Sequence, residues 1–369
     1  MNISIYDTEH FETTYALIRI WEFADNKLTL FVSTHVAEQL KQIPCLDEER
    51  YKWHIHDEND WSLASKIADD CRKNNTDLLF LNTVSHHHFL FGRMCGKLTD
   101  TKVLVSVHDI NDSFRPKWSL SPRAMAQYLG KKLLHRKAHG FVVLLRSMKD
   151  YLEQTYHPSQ PVYCIPGSIY EDVEHPLNNI TLTLVVPGSI DTERRDYSEV
   201  LSIGETIEAR DLDVKVELLG SPLGEAGRAI VSKARELPAI CTHKEKFISQ
   251  RVYDKALEHC HLVWAPLPTF YKKKGNRKEK YGVSKSSGSF FDAVRFGKPV
   301  LLPASINISP ELKEQCITYS DLRELSSILK ELSENSDKYN DHKERAEANA
   351  WKFSLAKARK EVLRQFEIT

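Results

Sequence analysis

The feature that most constrains this chain is a rhythm that runs through it twice. Short apolar runs alternate with longer amphipathic stretches, the signature of strands joined by crossover helices in a parallel sheet. In the first half the expected strands are Ile3 to Tyr6, Leu28 to Val32, Leu78 to Leu81, Val103 to Val107 and Phe141 to Leu144. Helices are expected over Thr13 to Phe23, Ser62 to Asn74 and Ala124 to Arg136, and a last short strand over Pro161 to Ile165. The rhythm then stops, because Glu171 to Asn179 is polar, contains proline and has no period, as a linker does. It restarts with strands at Leu182 to Val186, Val214 to Leu219, Leu262 to Ala265 and Pro299 to Leu302. Between and after them lie helical patterns at Tyr197 to Arg210, Gly224 to Glu236, Gln250 to His259 and Ser289 to Phe296, and the chain reads as helix from Asp321 onward. The expected class is α/β, with two doubly wound Rossmann-like domains facing across a cleft. Their bounds are 1–170 and 181–340, with a linker over 171–180 and a C-terminal helix over 341–369.

Composition removes several functions. Lys plus Arg is 51 and Asp plus Glu is 51, so there is no global basic field to hold a nucleic acid. No 18-residue uncharged apolar run and no basic leader followed by an apolar stretch are present, which predicts a cytoplasmic protein. Seven scattered cysteines without a C-x-x-C pair predict reduced, structural thiols.

Two segments of the second half carry anion chemistry. Ser286, Ser287, Gly288 and Ser289 stand immediately before an apolar helix, whose free N–H groups and positive dipole end suit a phosphate. The same serines also suit an ordinary N-cap. In the other segment, a strand runs into a turn at Gly188 and Ser189, and Arg194 and Arg195 follow as fork-shaped donors for a diphosphate. In the first half, Glu9-His10-Phe11-Glu12 and His108-Asp109 follow strands, and their acids and imidazoles are candidates for acid–base work. His86-His87-His88 is not expected to bind a metal, since consecutive side chains diverge and no partner has ligand spacing.

With these segments in place the chain resembles nucleotide-sugar glycosyltransferases of the GT-B fold, and the family 4 group most of all. The resemblance rests on the loop from Gly188 to Arg195, Leu218-Leu219-Gly220, the run from Tyr253 to Pro266, and Asp292-Ala293-x-x-x-Gly297-Lys298-Pro299-Val300. Val103 to Asp109 and Val142 to Leu152 match more loosely in the first domain. It implies a metal-independent hexosyltransferase that needs no cofactor, takes a nucleotide diphosphate sugar as donor and ends in a C-terminal helix, 341–369, that crosses back to the first domain. Arg194 or Arg195 would neutralise the diphosphate and Ser286 to Ser289 would cradle its distal phosphate. Phe247 would pack beneath the base. Asp292 falls at the second acid of the family's E-x7-E pair, whereas Ser284 stands at the first. The acceptor would be a glycan or lipid-linked glycan of surface polysaccharide synthesis, bound by the first domain with His108, Glu12, His10 and Asp109 as catalytic candidates.

Two basic stretches complete the expectations. Lys131, Lys132, Arg136 and Lys137 on an amphipathic helix suit peripheral contact with anionic lipid at the inner face of the membrane, or a plain surface helix. Lys272 to Lys280 suits a lid over the donor or a solvated charge run. Two other functions fit the same motifs: a sugar-nucleotide epimerase, and a degenerate GT-B protein that binds a nucleotide sugar as a regulator or scaffold.

Overall fold

The computed structural model describes residues 1–43, 46–57, 59–118, 121–171, 181–243, 248–272 and 277–368. Most of the expected linker and Phe247 therefore lie outside the described residues. The chain divides into two compact units. The first holds 1–168, 273–279 and 355–369, and the second holds 169–272 and 280–354.

In the first unit the elements are β1 (Asn2–Asp7), α1 (Phe11–Trp21), β2 (Lys27–Ser33), α2 (Thr34–Leu40), β3 (Lys52–His56), α3 (Leu63–Lys73) and β4 (Leu78–Leu81). They continue as α4 (His88–Cys95), β5 (Lys102–Ser106), α5 (Ile110–Phe114), α6 (Pro122–Lys137), β6 (Gly140–Val143), α7 (Arg146–Tyr156) and β7 (Val162–Cys164). All seven strands pair in parallel in the order β3-β2-β1-β4-β5-β6-β7. The inner strands β4 and β6 are buried apolar runs, and β1 is buried from Ile3 to Asp7 with Ile3, Ile5 and Tyr6 as its apolar residues, which is why they were legible as strands. β3 reads Lys-Trp-His-Ile-His and escapes that signal because it is an edge strand with a half-exposed pattern.

The second unit runs β8 (Leu182–Pro187), α8 (Tyr197–Ala209), β9 (Val214–Leu219), α9 (Gly224–Ala234), β10 (Ile240–Thr242), α10 (Gln250–His259) and β11 (Leu262–Trp264). Two short strands, β12 (Phe270–Tyr271) and β13 (Glu279–Lys280), pair with each other. Next come α11 (Gly288–Arg295), β14 (Val300–Pro303), β15 (Cys316–Tyr319), α12 (Leu322–Glu334) and α13 (Ser336–Ala350). The six-stranded parallel sheet is ordered β10-β9-β8-β11-β14-β15. Side-chain caps mark its helices: Asp196 accepts the N–H groups of Ser198 and Glu199, and Asp321 those of Arg323 and Glu324.

The last helix, α14 (Leu355–Gln365), belongs to the first unit. Arg359 donates to the carbonyls of Arg19 and Ile20 at the end of α1, over 2.8 and 3.0 Å. Gln365 exchanges two hydrogen bonds with the Cys164 backbone, and Phe366 stacks on Tyr163. Arg277 to Glu279 also pack within the first unit, where the buried Glu279 carboxylate accepts the N–H groups of Asn111 and Asp112 at the start of α5. That end of the Lys272–Lys280 run is therefore anchored to α5. Lys273 and Lys274 lie outside the described residues.

Candidate functional site

In each sheet the strand order reverses once, between β1 and β4 in the first unit and between β8 and β11 in the second. Crossovers leave in opposite directions there, so the loops at the carboxyl ends of the strands part and make a crevice for ligands. The residues singled out in the sequence gather around both reversal points.

In the second unit β8 ends in a turn at Gly188, whose φ of 89° is one that residues with a Cβ rarely adopt. The turn passes so close to its neighbour that a Cβ on Gly220 would stand 2.0 Å from the Gly188 carbonyl oxygen. The Arg195 side chain folds against this turn and is only 9% exposed. Its Nη1 donates to the Ser189 carbonyl at 3.3 Å and its Nη2 to the Ser289 hydroxyl at 3.4 Å. Its Nε is buried and has no hydrogen-bond partner among the described residues. Ser289 lies in the first turn of α11, where the Ser287 hydroxyl caps its N–H. Gly288, between them, is exposed, and a Cβ there would meet nothing within 4 Å. A guanidinium with an unused donor thus lies beside an open helix N-terminus, the two devices that bind a phosphate.

The surrounding residues divide. Arg194 points elsewhere: its Nε pairs with Asp191 at 3.2 Å and its guanidinium lies 5.9 Å from the centre of the Tyr271 ring, over which Lys285 is also placed at 4.9 Å. Ser286 is half-buried just ahead of the cap. Asp292 accepts the Tyr253 hydroxyl at 2.9 Å, and burial pushes its carboxyl up to about 6, against the opposing pull of that hydrogen bond, Arg295 and Arg195. Ser284, at the position of the missing acid, is buried, and its hydroxyl accepts the Lys280 N–H at 2.9 Å.

The first unit builds its reversal point around a carboxylate that sequence reasoning missed. Asp7 ends β1 fully buried. Its Oδ1 accepts the N–H groups of Glu9 and His10 at 2.8 and 3.0 Å. Its Oδ2 accepts the Thr14 hydroxyl at 2.6 Å and Asn82 Nδ2 at 2.5 Å. Asn82 follows β4, and its carbonyl lies 3.0 Å from Nε2 of His108, which follows β5. A carbonyl only accepts, so His108 carries its proton on Nε2 and leaves Nδ1 as the basic nitrogen. The His10 ring stands 4.6 Å from that of His108. Burial, reinforced by His10, pushes the His108 imidazolium down to about 4, so the ring is a neutral base at pH 7. Asp109 occupies the N-cap position of α5, and Glu12 is exposed in the first turn of α1. The available sequence signal for Asp7 was an acid closing an otherwise apolar strand run.

The histidine triplet is divided among packing roles: the His87 ring lies tilted against that of Trp61 at 4.3 Å and His88 is buried at the start of α4. Lys131 departs from a lipid-facing role, because its ammonium is paired with Asp112 at 2.6 Å.

Two parallel Rossmann-like sheets in one chain, each reversing its strand order once, make this a protein of the GT-B fold. No family model matches the chain, and no curated protein matches it in sequence. Solved structures do. Sucrose-phosphate synthase from Thermosynechococcus elongatus is similar over 100% of this chain and 98% of its own, at 12% identity and a TM-score of 0.66. UDP-GlcNAc 2-epimerase from Neisseria meningitidis, bound to UDP-GlcNAc, is similar over 100% of both chains at 11% identity and a TM-score of 0.58. The pneumococcal O-GlcNAc transferase GtfA, in complex with UDP and GlcNAc, is similar over 82% of this chain and 59% of its own, at 10% identity and a TM-score of 0.54. At such identities the likeness carries the fold.

Proposed function

We propose that this protein is a glycosyltransferase that moves a sugar from a nucleotide diphosphate donor to a hydroxyl of a glycan or lipid-linked glycan. The observation that carries the proposal is Arg195, a buried guanidinium with an unpartnered Nε beside the open start of α11. A buried cation with a donor to spare is stabilised by an anion that completes its hydrogen bonds. The second unit would hold the donor, with Arg195 and the N–H of Gly288 on the diphosphate in place of a divalent metal. The first unit would take the acceptor, with Nδ1 of His108 receiving the hydroxyl proton. Structures of the same fold include proteins in complex with UDP and with UDP-GlcNAc, which supports a nucleotide-sugar donor.

The test is a thermal-shift screen against nucleoside diphosphates and their sugar conjugates. A rise in melting temperature with one nucleotide, lost in Arg195→Met, is expected. No shift with any of them would overturn the donor site.

A second reading has its own observation. Ser284 offers no carboxylate and its hydroxyl is engaged with the Lys280 N–H, which favours a protein that binds the nucleotide sugar without turning it over. Donor hydrolysis separates the two: slow release of free sugar by the wild-type protein, absent in His108→Asn, supports the transferase, and binding without release supports the regulator or scaffold.

A further inference from the structure

Helices α4 and α6 of the first unit lie side by side with their backbones in contact. A Cβ added at Gly130 would stand 2.6 Å from the Phe89 nitrogen, one at Gly92 2.8 Å from the Leu134 nitrogen, and one at Gly96 3.4 Å from Lys137 Cδ. Contacts advance together along both helices, so the two run in the same direction. Each helix follows a strand that it runs back against, so both begin at the carboxyl edge of the sheet, the edge that carries His10 and His108.

The outer face of this pair has an uneven chemistry. α4 reads HFLFGRMC and α6 reads PRAMAQYLGKKLLHRK, with neither an Asp nor a Glu, in a chain whose acids and bases are equal at 51 each. Arg93, Lys132, Arg136 and Lys137 are exposed, and none has an ion-pair partner among the described residues. Near the start of the helices large apolar side chains are exposed beside Arg123: Phe89 at 48%, Met125 at 42% and Leu129 at 52%, with Trp118 at 59% on the approach to α6. Met125, Leu129, Lys132 and Arg136 follow one another at helical spacing, so a single stripe passes from apolar to cationic.

Neither half of that stripe suits water alone. Exposed apolar area costs roughly 25 cal/mol per Å² against burial, and a cluster of like charges with no counter-charge repels itself. Acyl chains beneath anionic headgroups satisfy both halves at once. We propose that the α4–α6 face docks the protein on an anionic membrane surface. Phe89, Met125, Leu129 and Trp118 enter the boundary between headgroups and acyl chains, and Arg93, Lys132, Arg136 and Lys137 bind the lipid phosphates. The face belongs to the first unit and the proposed donor residues to the second, and the proposal does not depend on the transferase reading.

The test is co-sedimentation of the full chain with phosphatidylcholine vesicles, with and without phosphatidylglycerol. Binding is expected only when phosphatidylglycerol is present and should weaken as salt screens it. Lys132→Glu with Arg136→Glu should weaken it by about tenfold or more, and Met125→Asp with Leu129→Asp by about tenfold. All four side chains are at the surface, so both variants should keep the wild-type melting temperature, and Lys233→Glu in the second unit should bind as wild type. Quenching of tryptophan emission by lipids brominated on the acyl chain tests insertion in the unaltered protein and is expected to appear. Absence of binding to phosphatidylglycerol vesicles, or binding unchanged by either pair of substitutions, overturns the proposal. So does equal binding to soluble polyphosphate that ignores Met125→Asp with Leu129→Asp, which would assign the face to an anionic polymer.

Discussion

The two strand-reversal points share a topology and differ in what is buried there. In the first unit the buried group is the Asp7 carboxylate, and four hydrogen bonds from Glu9, His10, Thr14 and Asn82 complete it. In the second unit it is the Arg195 guanidinium, whose Nε is left without a partner among the described residues. A completed buried charge fastens its loops and places other side chains, here His10 and His108. An incomplete one keeps a donor ready for a ligand. The reversal point thus holds a completed buried charge in one unit and an incomplete one in the other, and sheet topology alone does not distinguish them.

Removing each buried charge breaks that comparison most directly. Asp7→Ala should cost the protein about 3 kcal/mol in chemical denaturation, because it leaves buried donors of Thr14 and Asn82 unpaired. A loss well under 1 kcal/mol would show that Asp7 is not the fastening group. Arg195→Met should leave stability nearly unchanged yet weaken nucleoside diphosphate binding roughly fiftyfold, about 2 kcal/mol, by calorimetry. Arg194→Met should weaken it less, since Arg194 is already paired with Asp191.

Titration sharpens the comparison further. The Asp292 carboxyl is raised to about 6, so the fold favours its protonated form. The linked stability is present below the ordinary carboxylate value and is lost as pH rises through 6. Asp292→Asn should therefore match the wild type near pH 4 and exceed it by about 3 kcal/mol at pH 8 in paired denaturation curves. The smallest effect is expected at His10. His108 is pushed down to about 4 by burial first and by His10 second, so any turnover should keep its His108-dependent acid limb near that value. His10→Ala should move the limb upward by a fraction of a unit in a pH–rate profile. An unmoved limb would uncouple the two rings.

Legibility in the sequence followed burial. β4 and β6 were readable because strands buried on both faces are continuous apolar runs, and α10 because Gln250 to His259 carries a strong helical period behind its Ser249 cap. The edge strands β3, β10 and β15 were not, being short or half-exposed. α4 was hidden because its apolar residues contact α6 closely and leave no clean amphipathic pattern. At the sites, the Gly188 turn and the serine cap of α11 were visible as local chemistry. That Arg195 and not Arg194 turns inward was not, since adjacent residues read alike until packing separates them.

The sequence by itself determined the doubly wound pattern, its two copies, and the loops that carry the chemistry, because periodicity, caps and turn residues act over a few neighbouring positions. Only the tertiary structure decided which buried charge is completed and which is left open. Asp7 meets Asn82 across 75 residues of chain and Arg195 meets Ser289 across 94. Hydrogen bonds over such separations depend on how strands are ordered in a sheet, and no local pattern encodes that order.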